Sequence, residues 1–81
     1  MGEHNVYKNY IRDVGQLVAE AARVAKSERD ELNDSTRRDY AIGRLMGYHE
    51  IISLMQQQAE AFGIRLSEIG LEGIDPEQDL L

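Results

Sequence analysis

The sequence predicts an all-α protein: a long antiparallel helical hairpin with a short C-terminal segment, one domain over residues 1–81. Two stretches, residues 5–32 and 36–62, carry apolar residues at three- and four-residue spacing, the amphipathic-helix pattern rather than strand alternation. Between them stands Asn33-Asp34-Ser35-Thr36, short polar side chains that compete for backbone groups and break helices. A connection this short makes the two helices antiparallel neighbours.

In the first helix the expected buried face is Tyr7, Tyr10, Ile11, Val14, Leu17, Val18, Ala21, Val24, Ala25 and Leu32. The opposite arc, Lys8, Arg12, Gln16, Ala19, Arg23, Lys26 and Asp30, is almost wholly polar. Glu20 with Arg23, and Lys26 with Asp30, are expected helix-neighbour charge pairs. Gly15 lowers helix propensity by about 1 kcal/mol, which the long periodic pattern outweighs.

Ser35 or Thr36 is the expected N-cap of the second helix, with Asp39 a weak capping-box partner of Thr36. Gly63-Ile64 suits a left-handed stop, with Ile64 folding back onto the last turn. This helix has two apolar arcs. One holds Ala41, Leu45, Tyr48, Ile52, Met55, Ala59 and Phe62, with Ile42 and His49 on its shoulder. The other, roughly opposite, holds Tyr40, Gly43, Gly47, Ile51 and Leu54. The first helix covers only one arc, so the second must meet something else.

The C-terminal segment, residues 64–81, holds Leu66, Ile69, Leu71, Ile74, Leu80 and Leu81, too many aliphatics for a solvated tail. It is expected to dock on the hairpin. Asp75-Pro76 opens a short final helix, with Asp as cap and Pro at the first helical position.

A chain of 81 residues buries only about 60% of its unfolded surface. With no cysteine, disulfides and thiolate metal ligands are excluded, which leaves self-association as the common way to add core. The expected assembly is a homodimer forming a four-helix bundle, with Tyr40, Gly43, Gly47, Ile51 and Leu54 at its interface. Docking of the tail on that arc is the competing explanation. No apolar run approaches the ~18 residues of a membrane span, the N-terminus has no secretory-leader pattern, and Val6 breaks a myristoylation motif after Gly2. A cytoplasmic protein without a membrane partner is the expectation.

The net charge of −6 is unevenly spread: residues 1–65 are close to neutral, and residues 66–81 carry five acids and no base. Nucleic-acid binding needs a clustered positive field, and Arg37-Arg38 is flanked by Asp34 and Asp39, so that partner is not expected. His49-Glu50 opens like a zinc-protease helix, but the second histidine is replaced by Ser53, and Met46 stands where a di-iron bundle needs glutamate. His4, near the N-terminus, is a weaker candidate still. Gly43 and Gly47 form a GxxxG, which on a helix this polar means close packing rather than membrane dimerisation. No cofactor, metal site or catalytic constellation is expected.

The run GRLMGYHEIISLMQQQAEAFGI, followed by a tail ending DPEQDLL, resembles small uncharacterised all-helical proteins of bacteria and their phages. The resemblance spans the second helix and tail, implies a bacterial or phage source, and carries no activity over. The leading expectation is a non-catalytic protein-interaction module. The alternatives are a small-molecule or metal-binding bundle centred on Tyr48, His49 and Glu50, and an acidic inhibitor of a basic partner.

Overall fold

The computed structural model of the chain describes residues 3–32 and 34–81, with side chains from residue 5 onward. It is an all-helical hairpin: α1 spans Glu3–Glu31, α2 spans Ser35–Ala61, a 3-10 turn spans Leu66–Ile69, and α3 spans Pro76–Asp79. The hairpin is elongated, about 50 Å along its axis. The tail runs back along one side of it, with the 3-10 turn against both helices and α3 against α2.

The helix ends follow local chemistry. The cap of α2 is Asp34, not Ser35 or Thr36: its Oδ1 accepts from the backbone N–H of Thr36 at 2.9 Å and of Arg37 at 3.2 Å. A carboxylate one residue earlier reaches two orphan donors and places its charge at the positive end of the helix. Ser35 is thus the first residue inside α2, and Asn33 lies outside the described residues. At the other end Gly63 adopts φ +69°, Gly63 N–H donates to Glu60 and Ile64 N–H donates to Ala59, the paired bonds of a Schellman stop. Asp75 caps α3 through the Glu77 N–H at 3.0 Å, and Asp79 accepts from the Asp75 N–H at 2.8 Å.

The tail docks as expected: Ile69, Leu71, Ile74 and Leu80 join Leu45, Ile52, Ala59 and three alanines of α1 in one buried cluster. Leu81 departs from that expectation, being 61% exposed. Polar contacts fix the seat. Gln56 Nε2 donates to two tail carbonyls, Leu71 at 3.2 Å and Ile74 at 2.8 Å. Arg23 donates to the Gly73 carbonyl at 2.9 Å and Arg29 to that of Leu81 at 3.2 Å. Arg23 is therefore turned to the tail rather than to Glu20, and Asp30 pairs with Arg29 at 2.8 Å rather than with Lys26.

The closest approach is backbone on backbone. A Cβ on Gly15 would overlap the carbonyl of Ile69, and a Cβ on Gly70 would collide with the carbonyl of Arg12. Gly70 also needs its freedom for φ +74°, which ends the 3-10 turn. Two chain segments meet here at glycines, backbone against backbone, with the Gln16 side chain beside Gly70.

This contact corrects the expected face of α1. Its buried residues are Gly15, Ala19, Ala22 and Ala25, with Val14, Val18 and Ala21 half-buried. Tyr7, Tyr10, Ile11, Leu17 and Val24 are exposed. At about 100° per residue the buried line is turned roughly a quarter of a circle from the apolar arc, toward the tail. The cause is that α1 serves two close neighbours at once, and only small residues fit where both approach. On α2 the first arc is buried at Ala41, Leu45, Ile52 and Ala59, half-buried at Tyr48 and Met55, and open at Phe62, which is the C-cap.

Two tests follow from the glycine crossing and the tail seat. Gly15→Ala should lower stability by about 1–3 kcal/mol despite its better helix propensity, because a buried carbonyl must move. Gly43→Ala and Gly47→Ala, where a Cβ meets nothing within 4 Å, should instead raise it by about 0.4–1 kcal/mol. Thermal or urea melts read both signs. In the same assay Leu71→Ala should cost about 2–5 kcal/mol by leaving a cavity. Gln56→Leu should cost about 1–3 kcal/mol by stranding two part-buried carbonyls.

Candidate interaction face

The tail divides the hairpin into two sides. On α1 it lies against the line of Lys8, Arg12, Gly15 and Arg23. On α2 it lies against His49 and Gln56. Tyr10, Leu17 and Val24, spaced seven apart, lie about 140° around α1 from the tail's line. Gly47, Ile51 and Leu54 lie roughly opposite His49 and Gln56 around α2.

One ion pair fixes the relation of these two stripes. Arg44 Nη1 donates to Glu28 Oε2 at 2.8 Å. Glu28 lies three turns beyond Leu17 on the same line of α1, and Arg44 lies two turns before Ile51 on the same line of α2. The stripes therefore run side by side along the back of the hairpin, flanking the helix–helix seam. The pair itself is half-exposed and contributes at most about 1 kcal/mol.

All the large side chains of this back face are open: Leu17 is 64% exposed, Val24 49%, Tyr40 74%, Ile51 49% and Leu54 54%. Gly43 and Gly47 are exposed among them, and a Cβ on either would meet nothing within 4 Å. The tail does not cover the Tyr40, Gly43, Gly47, Ile51 and Leu54 arc, so the competing explanation for that arc fails. Toward the hairpin turn the face runs into an open groove of about 530 Å³ bordered by Leu32, Arg37 and Tyr40.

Charge is sorted across the same division. The five basic residues of α1, Lys8, Arg12, Arg23, Lys26 and Arg29, all fall on the tail's side or on the seam. Lys8 lies 3.8 Å from Glu68, and Arg23 and Arg29 hold tail carbonyls. Beyond the apolar stripes the outer rims carry exposed acids, Asp13, Glu20 and Glu31 on α1 and Asp39 and Glu50 on α2.

Tyr48, His49 and Glu50 are not brought together. Consecutive helix positions diverge by about 100°, and each meets a different environment. Tyr48 packs on the core at the seam under the Arg44 guanidinium, 5.5 Å from the ring centroid. His49 turns to the tail, its Nε2 3.3 Å from a Glu77 carboxylate oxygen but poorly aligned for a hydrogen bond. Glu50 stands in solvent on the rim. Among the described residues no group of three or more His, Cys, Asp or Glu is placed to hold a metal ion. The side chain of His4 lies outside the described residues. No described helix is long and apolar enough to cross a membrane.

Sequence reasoning found the α2 half of this face and missed the α1 half, because Tyr10, Leu17 and Val24 read as core. The signal that separates them is the line Gly15, Ala19, Ala22, the small residues that mark where a neighbour's backbone comes close. No family model matches the chain, and neither a curated protein nor a solved structure matches it.

Proposed function

We propose that the chain is a small, non-catalytic interaction module of the cytoplasm that works by presenting the apolar back of its hairpin to another helical surface. The observation that carries this reading is the pairing of two uncovered stripes, Tyr10, Leu17 and Val24 beside Gly47, Ile51 and Leu54, on a molecule whose own spare segment is already docked on the other side. Monomeric proteins rarely leave contiguous apolar surface of this kind without a use for it. The exposed pair Gly43 and Gly47 supports a helix as the mating element, since two glycines a turn apart let a backbone come close. A second copy seated there would close the four-helix bundle.

The test is site-specific photo-crosslinking in source cells, with the reactive residue at Ile51 or, as a control on the tail's side, at Glu72. A discrete adduct from position 51, absent from position 72 and lost with Gly47→Leu or Leu17→Gln, is the expected result. An adduct of twice the chain mass would identify the partner as a second copy. No adduct from position 51, or equal labelling from both positions, would overturn the reading.

A further inference from the structure

Resting on that reading, we propose that the back face is built for an amphipathic helix with a basic rim, supplied by a different protein rather than by a second copy of this chain. Two features select this occupant: the sign of the charge around the apolar stripes and the length of the stripe on α1.

The outer rims of the face are acidic on both helices, with Asp13 and Glu20 outside the α1 stripe and Asp39 and Glu50 outside the α2 stripe. Among the described residues no base stands on either outer rim. Of the two arginines along the seam, Arg44 has its partner in Glu28 at 2.8 Å, and Arg37 lies beyond the stripe at the hairpin turn, in the groove with Glu28 and Glu31. The bases that could have balanced these acids are on the far side, where Lys8, Arg23 and Arg29 hold the tail. These bases thus serve the tail, through Glu68 and two backbone carbonyls, while among the described residues no base pairs with Asp13, Glu20, Asp39 or Glu50.

A twofold pairing of this face with itself sets acidic rim against acidic rim, whichever helices are matched. Like charges so placed cost affinity and slow encounter, whereas lysine or arginine opposite them does the reverse. The fitting occupant has an apolar stripe flanked by bases.

Length and shape agree with a helix. From Tyr10 to Val24 the stripe runs about 21 Å at 1.5 Å per residue, so an occupant of roughly four turns spans it. It lies beside the seam between α1 and α2, along Ile51 and Leu54 and reaching Gly47 at one end, where a Cβ would meet nothing within 4 Å. The product is a three-helix layer backed by the tail, with the third helix's leucines among Leu17, Ile51 and Leu54.

The experiment uses the full chain and two labelled synthetic helical peptides with one leucine stripe, rimmed by lysine in one and glutamate in the other. Binding is read by fluorescence anisotropy, and light scattering of the chain alone gives its mass. The lysine peptide should bind at least about tenfold tighter than the glutamate peptide and weaken as salt rises from about 50 to 300 mM. Leu17→Gln with Ile51→Gln should remove the binding. Glu20→Lys with Glu50→Lys should invert the preference, and Glu72→Lys on the tail's side should leave it unchanged. Equal binding of both peptides that still depends on Leu17 and Ile51 would overturn the basic partner and keep the interaction face. A dimer mass abolished by Ile51→Gln would do the same in favour of a second copy. Binding of neither peptide, or binding indifferent to Leu17 and Ile51, would overturn both.

Discussion

Everything distinctive in this fold depends on one contact, the crossing of the tail over α1 where Gly15 faces the Ile69 carbonyl and Gly70 faces the Arg12 carbonyl. Two backbones come together there because neither has a Cβ. That closeness lets Leu71 and Leu80 reach full burial beside Ile52, and it carries Gly73 and Ile74 to within reach of Arg23 and Gln56. A two-helix hairpin of this length would have a thin core. With the tail seated, the core gains a third layer without any added helix of length. Gly15 costs helix propensity locally, and the buried cluster it admits outweighs that cost several times over.

The same contact decides what faces water. Because α1 turns its small residues toward α2 and the tail, its large ones are carried round to the back, next to the second apolar arc of α2. Leu17 and Val24 are therefore exposed as a consequence of how closely the tail approaches. The sorting of charge follows the same geometry: bases on α1 go where the acidic tail and its carbonyls need them, and acids are left to rim the opposite face. A single placement of glycines thus yields a sealed side and an open apolar side.

Much of this was legible in the amino-acid order. Periodicity settles the two helices to within a residue or two, Gly63-Ile64 marks the stop, and Asp75-Pro76 marks the last turn, because these are local signals with local causes. The uncovered arc Tyr40, Gly43, Gly47, Ile51 and Leu54 was legible too, since one helix cannot cover two opposite faces. The orientation of α1 was not. Hydrophobicity ranks Leu17 above Ala19 as a core residue, but burial on this helix is decided by how near two neighbours come, which favours Ala19. Gln56 was illegible for a related reason: within Gln56-Gln57-Gln58 its spacing gives no hint that two tail carbonyls await it. Asp34 was overlooked as the cap because Ser35 and Thr36 share its chemistry one and two residues later.

The tail seals one side of the hairpin and leaves the other open. Methyl NMR with a soluble gadolinium chelate measures it directly, since relaxation broadening reports how near solvent each methyl lies. The account predicts strong broadening at Leu17, Val24, Ile51 and Leu54 of the isolated chain, and little at Ile52, Leu71, Ile74 and Leu80. Broadened Leu71 and Leu80 methyls beside silent Ile51 and Leu54 would contradict it.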